Sequence, residues 1–379
     1  RYIFTLLNQL IYDIIPTADF PVLTYCDDDG TLVEPEWYAP IIPLSLCNGS
    51  QGIGTGFSHR GLSYNPLDLS GYLKKRLQNP AEEIGDILPY YEGFTGEILK
   101  IEPTKYLIKG KYEIVNSKTI RITELPVGTW TTPYKNDLEY MMADKDRKGK
   151  KKTPIIKKFR DLCTDALVEF EVTFDEKKLT SMMNKYTEYG CSVLEKKLKL
   201  YTTVTTTNMH MFNSKQQLRK FNNVGEIIDE YFPVRYAVYQ RRKEYMLNMM
   251  EKQITLLSNK VRFISEQCDD VIDLRRKKKQ QVIELLKSRG YDVIDGDENY
   301  KYLREMRMED VEEENMEKLK KKLDDLKTEY ELLKITTIEE IWTDELNKFE
   351  INYQIYLKQR RDRLLGNTRV VKKKKSKKK

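Results

Sequence analysis

The chain has 379 residues, 40% of them hydrophobic and 33% charged, which is too apolar for a wholly disordered chain and long enough for two or three domains. Its net charge of +7 is matched by the seven lysines of the last eight residues, KKKKSKKK, so the rest is near neutral and overall charge does not predict a polyanionic partner. The five cysteines are odd in number and lack C-x-x-C spacing, which fits reduced thiols in a cytosolic or nuclear compartment. Two histidines argue against a His-rich metal site, and no apolar run reaches the roughly 18 residues a membrane span needs.

Residues 1–60 mix apolar runs with five prolines and a glycine cluster at 49–56. The chain opens RYIFT. A tyrosine hydroxyl such as that of Tyr2 has a pKa near 10 and needs a base, a metal or a nearby cation to act as a nucleophile. The adjacent Arg1 guanidinium is a candidate for that cation, although most tyrosines are packing residues. In GEILKI, KYLIKGKYEIV, KTIRITELP and LVEFEVTF, β-branched residues alternate with period two, so residues 64–205 are predicted to form an α+β domain. Within it DKDRKGKKKTP, at 144–154, reads as a basic loop.

From about residue 214 the pattern turns helical. Leu247, Met250, Ile254, Leu257, Val261, Ile264, Cys268 and Val271 keep a 3-4 heptad spacing. Met316, Leu319, Leu323, Leu326, Tyr330 and Leu333 do the same, as do Trp342, Leu346, Phe349, Tyr353 and Tyr356. Gly290 and Asp295-Gly296 break the run between the first two stripes. The economical topology is a long outgoing helix, a small helical head and a long returning helix. Residues 235–270 as one helix would reach about 54 Å. The lysine tail reads as disordered.

The stretch PLSLCNGSQGIGTGFS, at 43–58, is the densest chemical signal. It is no P-loop, since no Gly-Lys-Ser/Thr follows, and Phe57 stands where G-x-G-x-x-G needs glycine. Ile53 lies between Gly52 and Gly54. On local evidence the common outcome is a tight turn that packs Ile53 into the core. The alternative is an apolar wedge, of the kind DNA-bending proteins insert between base steps. The basic clusters at 147–152 and 275–279 suit phosphate contacts or solvated faces. For 372–379, nucleic-acid contact or nuclear import is the favoured reading.

Taken together, RYIFT, EPEWYAPIIPLSLCNGSQGIGTGFS, YNP, ITELPVGTWTTPYK, RFISEQCDDVIDLRRKKKQQVIELLKSRGYD and IEEIWTDELNKFE resemble, in order, the eukaryotic and large-DNA-virus type IIA DNA topoisomerases. The resemblance implies an α+β fold with three parts. Residues 1–60 would be the end of a winged-helix region and its junction, and 61–205 a tower domain. Residues 206–366 would be a long antiparallel coiled-coil arm with a small helical gate, ahead of the tail at 367–379. It also implies roles. Tyr2 aligns with the nucleophile that becomes linked to the 5′ phosphate, and Arg1 with the transition-state arginine. Ile53, framed by Gly52 and Gly54, aligns with the residue that intercalates into DNA. Tyr302, Leu303, Met306 and Met308 fall where a homodimer gate would close.

Double-stranded DNA and a second copy of the chain are the implied partners, in a nucleus or, for a virus, a host nucleus or cytoplasmic factory. Magnesium and ATP are implied cofactors of the intact enzyme, with the acidic metal-binding domain, the ATPase region and most of the winged helix outside this chain. The fragment alone is therefore expected to be inactive. Phe57 departs from the tryptophan common at its position, and the short tail leans towards a compact viral or protist form. Two other readings stand beside this one. A non-catalytic coiled-coil scaffold of chromosomes fits the stripes and the tail, and a nucleotide-binding enzyme would use the glycine loop.

Overall fold

The computed structural model describes residues 5–80, 85–145, 150–151, 153–274, 277–306 and 313–364. They fall into two compact units. The first comprises the described residues of 1–14, 40–234 and 346–379, and the second those of 15–39 and 235–345.

The first unit is built round a four-stranded antiparallel sheet, in spatial order Lys111–Asn116, Thr119–Glu124, Phe170–Thr173 and Lys158–Asp161. The alternation in KTIRIT and FEVT explains it. Ile122 pairs with Phe170 and Ile120 with Val172, and all four are fully buried. The odd positions between them turn outward, where Arg121 pairs with Glu171 at 3.1 Å. Tyr134, Leu138 and Met141 of the helix Thr131–Met142 close this core, along with Leu179, Leu194 and Leu198. Each large apolar side chain buried here contributes about 1.5–3 kcal/mol. The Tyr134 hydroxyl donates to the Leu198 carbonyl at 2.8 Å, and burial raises its pKa.

KYLIKGKYEIV is not one strand. Lys105–Lys109 belongs to a three-stranded sheet with Glu97–Glu102 and Tyr201–Thr205, whereas Lys111–Asn116 is the edge of the four-stranded one. The switch falls at Gly110, where a Cβ would collide with the Glu124 carbonyl. In YNP, Asn65 caps the helix Pro66–Gln78 by accepting from Leu67 N at 3.0 Å, with Pro66 in the first turn. That helix meets the middle of the last one, Ile338–Leu364. Ser70 donates to Glu350 at 2.7 Å, and Lys74 pairs with Glu350 at 2.7 Å.

The second unit opens with a 3₁₀ turn, Thr17–Val22, and the hairpin Tyr25–Asp28/Thr31–Pro35. Asp29 and Gly30 between its strands have φ of 49° and 84°, both positive as a type I′ turn requires. Asp19 in the 3₁₀ turn is only 1% exposed. It accepts from Arg235 at 2.6 Å and from Arg242 at 3.2 Å. Arg242 also donates to Glu345 at 2.7 Å. The Arg235 guanidinium lies 3.8 Å from the Tyr239 ring centroid, and that ring packs on Trp342 at 5.2 Å.

The helix Val224–Cys268 starts in the first unit and continues into the second. Along it Leu247, Met250, Ile254, Leu257, Val261 and Ile264 are shielded as the heptad spacing predicts. The predicted stripe runs three residues too far. The helix stops at Cys268, which is exposed like Val271. Asp270 then takes φ of 53°, and Ile272 instead enters the core of the head. That core joins Phe263 to Val282, Leu286, Tyr291, Tyr300 and Leu303. Gly290 and Asp295-Gly296, the predicted breaks, have positive φ.

The return is two helices, Glu313–Ile335 and Ile338–Leu364. On the first, Met316, Leu319, Leu323, Leu326, Tyr330 and Leu333 are shielded. The break between the two helices is capped reciprocally. Thr337 N donates to Glu340 at 2.7 Å, and Glu340 N donates to Thr337 Oγ1 at 3.2 Å. Lys243 of the long helix donates to the carbonyls of Lys334 at 3.1 Å and Thr336 at 2.6 Å, which end the helix Glu313–Ile335.

Candidate functional site

The glycine stretch folds as a two-stranded hairpin, Ser50–Gly54 against Phe57–Gly61, with Ile53 opposite Ser58 and Gly54 opposite Phe57. Its glycines divide into two kinds. Gly49 and Gly56 have φ of 65° and 80°, and a Cβ on Gly49 would lie 2.8 Å from Ser63 Oγ. These two are dictated by the backbone. Gly52 and Gly54 are not. A Cβ on Gly52 would meet nothing within 4 Å, and one on Gly54 only the Phe57 carbonyl at 3.8 Å. Glycine in a strand with no internal reason marks a place where another molecule's surface can come close.

Ile53 does not enter a core. It is 89% exposed, so the packed-turn expectation fails. The reason is local. The hairpin is a narrow two-stranded ladder, and the glycines beside Ile53 give it no Cβ atoms to rest on. Phe57 is also exposed.

A lone hairpin of this size is marginal in water. This one is flanked by a second hairpin, Met209–Phe212/Leu218–Phe221. The Asn208 carbonyl accepts from Arg60 N at 2.8 Å, and the Asn208 side-chain amide donates to Ser58 Oγ. His210 Nδ1 lies 2.8 Å from Asn208 Oδ1 and 3.2 Å from the Ser58 carbonyl. Both are acceptors, so Nδ1 carries the proton. The His210 ring lies 5.8 Å from that of Phe57.

The chain's two histidines, 59 and 210, therefore meet at this hairpin. His59 Nε2 is 2.6 Å from Ser50 Oγ, and its pKa is held below the ordinary 6.5 by burial and, secondly, by His210. A histidine depressed in the fold takes up its proton more readily when unfolded. Its contribution to stability is complete above 6.5 and is lost as pH falls from there. Amide exchange at Ser50–Gly61, corrected for intrinsic rates, is expected to quicken between pH 7.5 and 5.5. His59→Gln should flatten that dependence, and an unchanged slope in the variant would show that another group sets it.

The other candidates are scattered. Arg1, Tyr2 and Met308 lie outside the described residues, as do the tail at 367–379 and most of 147–152. Lys277, Lys278 and Lys279 are exposed. Tyr302, Leu303 and Met306 sit in the head. Leu303 is 1% exposed and belongs to its core, so it offers no surface to a partner. Tyr302 and Met306 pack against that core, and the Tyr302 hydroxyl donates to the Asp292 carbonyl at 2.7 Å. Among the described residues no group of three or more His, Cys, Asp or Glu could hold a metal ion, and no helix is long and apolar enough to cross a membrane.

The family model for the DNA gyrase/topoisomerase IV A subunit matches residues 1–347. DNA topoisomerase 2 of Acanthamoeba polyphaga mimivirus is 32% identical over 408 residues, covering 92% of this chain and 32% of that protein. Human DNA topoisomerase 2-alpha is 38% identical over 293 residues, covering 77% of this chain and 18% of that one. The chain thus spans a third or less of these curated relatives. Among solved structures, the Plasmodium falciparum topoisomerase II DNA-binding, cleavage and re-ligation domain superposes with a TM-score of 0.77 at 30% identity, covering 97% of this chain and 51% of that one.

Proposed function

This chain belongs to the type IIA DNA topoisomerase family as a fragment of its cleavage core, and from that premise we propose that its glycine hairpin inserts Ile53 between base steps of a duplex held for cutting. The observation that carries the reading is an isoleucine 89% exposed at the end of a hairpin whose Gly52 and Gly54 leave open space round it. Wedges of this kind unstack one step, and the bend that follows lets more of the duplex meet protein.

In the proposed reaction of the longer enzyme, the Tyr2 phenol oxygen attacks a backbone phosphorus. The P–O bond to the 3′ oxygen breaks, and that oxygen leaves with a proton. The 5′ phosphate stays esterified to Tyr2, and Arg1 stabilises the charge that gathers on the phosphoryl oxygens. Resealing is the reverse attack, so the energy of the phosphodiester is kept in the ester. A second duplex would pass through the break, relaxing or decatenating DNA. Residues 61–205 would support the bent arms as a tower. The helices after residue 206, paired antiparallel, would carry the head that closes a homodimer. Magnesium and ATP belong to the longer enzyme. Among the described residues no cluster of His, Cys, Asp or Glu fits a metal. A nucleus or a viral factory is the matching compartment.

The hairpin reading is tested by Ile53→Ala in the full-length protein, on a duplex labelled at both ends for energy transfer. The truncation removes about 2 kcal/mol of apolar contact, which shifts the bent-to-straight ratio by roughly 30-fold. An unchanged bend would remove the wedge from the mechanism.

A further inference from the structure

The hairpin that carries Ile53 does not fix its own position. Among the described residues its strands pair only with each other, Gly56 turns them, and a Cβ on Gly52 would meet nothing within 4 Å. What holds it is the segment after the three-stranded sheet. Strand Tyr201–Thr205 ends there, Thr206 N donates to the Thr104 carbonyl at 2.9 Å, and two residues later Asn208 reaches the hairpin. Asn208 uses three groups at once. Its carbonyl takes Arg60 N at 2.8 Å, its amide nitrogen gives to Ser58 Oγ, and its amide oxygen takes the His210 ring proton at 2.8 Å. His210 Nδ1 also lies 3.2 Å from the Ser58 carbonyl. Ser58 stands directly opposite Ile53 in the ladder.

We propose that Asn208 is a positioning residue for the wedge: it clamps the returning strand at Ser58 and so ties the placement of Ile53 to the sheet Glu97–Glu102/Lys105–Lys109/Tyr201–Thr205. The proposal rests on the wedge reading of Ile53 and adds to it the residue that aims the wedge. Two glycines beside Ile53 leave the tip free to swing. A side chain that enters a single base step must arrive within a fraction of that step, about 3.4 Å. Precision of that order needs an anchor outside the glycine turn. The Asn208 side chain supplies one by bonding at the residue that faces the wedge across the ladder.

The test uses the full-length protein and two readouts. Without DNA, Asn208→Ala is expected to speed amide exchange at Gly52–Phe57 by roughly 30-fold, since it removes two side-chain hydrogen bonds, to Ser58 and to His210, each worth about 1 kcal/mol. With the doubly labelled duplex it should lower the bent-to-straight ratio by a similar factor. Ser58→Ala, which breaks only the bond to the Asn208 amide nitrogen, should give about a fivefold effect on both readouts, and the double variant should be no worse than Asn208→Ala, which already breaks that bond. A general loss of folding would instead speed exchange throughout residues 97–205, which the same data report. If Ile53→Ala abolishes the bend while Asn208→Ala leaves exchange and bend unchanged, the positioning role is overturned and the wedge stands. If the two substitutions add, the shared bond is not the link. If Ile53→Ala leaves the bend unchanged, the wedge reading fails whatever Asn208 does to exchange.

Discussion

Tyr2→Phe in the full-length protein is expected to cut covalent DNA capture after denaturation by at least about 10³-fold, with duplex binding within about threefold of the unaltered protein. Phenylalanine keeps the ring and its packing and removes only the oxygen that would bond to phosphorus. The phenol, with a pKa near 10, is a poor nucleophile at neutral pH, so the group beside it matters. Arg1 holds a permanent charge and a planar fork that matches two phosphoryl oxygens. Arg1→Lys is therefore expected to reduce cleavage less than Arg1→Ala, because it keeps the charge and loses the fork. Covalent capture by Tyr2→Phe at the normal level would assign the nucleophile to another residue.

Asp19→Ala is expected to lower the stability of the second unit by about 3–5 kcal/mol. Asp19 and Arg235 are each 1% exposed, and Arg242 is nearly as buried. Removing the carboxylate leaves two guanidinium groups out of water, with Glu345 their remaining acid. The attraction lost is smaller than the desolvation left unmatched. Trp342 reports the event directly. It is fully buried against Tyr239, while Trp37 and Trp130 are exposed. Its red shift in denaturant should come at a lower midpoint in the variant. Asp19→Asn, which keeps both acceptor geometry and volume at one oxygen, should fall between. An unmoved midpoint for Asp19→Ala would show that the cluster contributes little.

The helices were legible because their signal is periodic and long. Six of the eight predicted positions of the first stripe, Leu247 to Ile264, are shielded. The stripe overran because Cys268 and Val271 keep the spacing while Asp269 and Asp270 end the helix, and spacing says nothing about termination. The sheet residues read as strands, but KYLIKGKYEIV concealed a change of sheet. Only the crowding of Gly110 against Glu124 shows it, and that contact is between residues 14 apart. Asp29-Gly30 carried a hairpin signal that composition near five prolines obscured. The glycine stretch was recognisable as unusual, yet local reasoning put Ile53 inside. Exposure depends on what lies opposite, and no sequence window contains that. Asn208 and His210 left no local signal at all, since they meet Ser58 from 150 and 152 residues away.

The amino group of Lys243, seated on the last carbonyls of the helix Glu313–Ile335, settles a question the stripes leave open. A heptad pattern is translationally degenerate: slid by seven residues, apolar positions still meet apolar positions. A lysine that satisfies one helix end has no equivalent one heptad away, because only one end exists. That single aperiodic contact selects one alignment from a ladder of near-equal ones. It fixes how far along the outgoing helix the returning one stops, and with it the length of chain left to build the head.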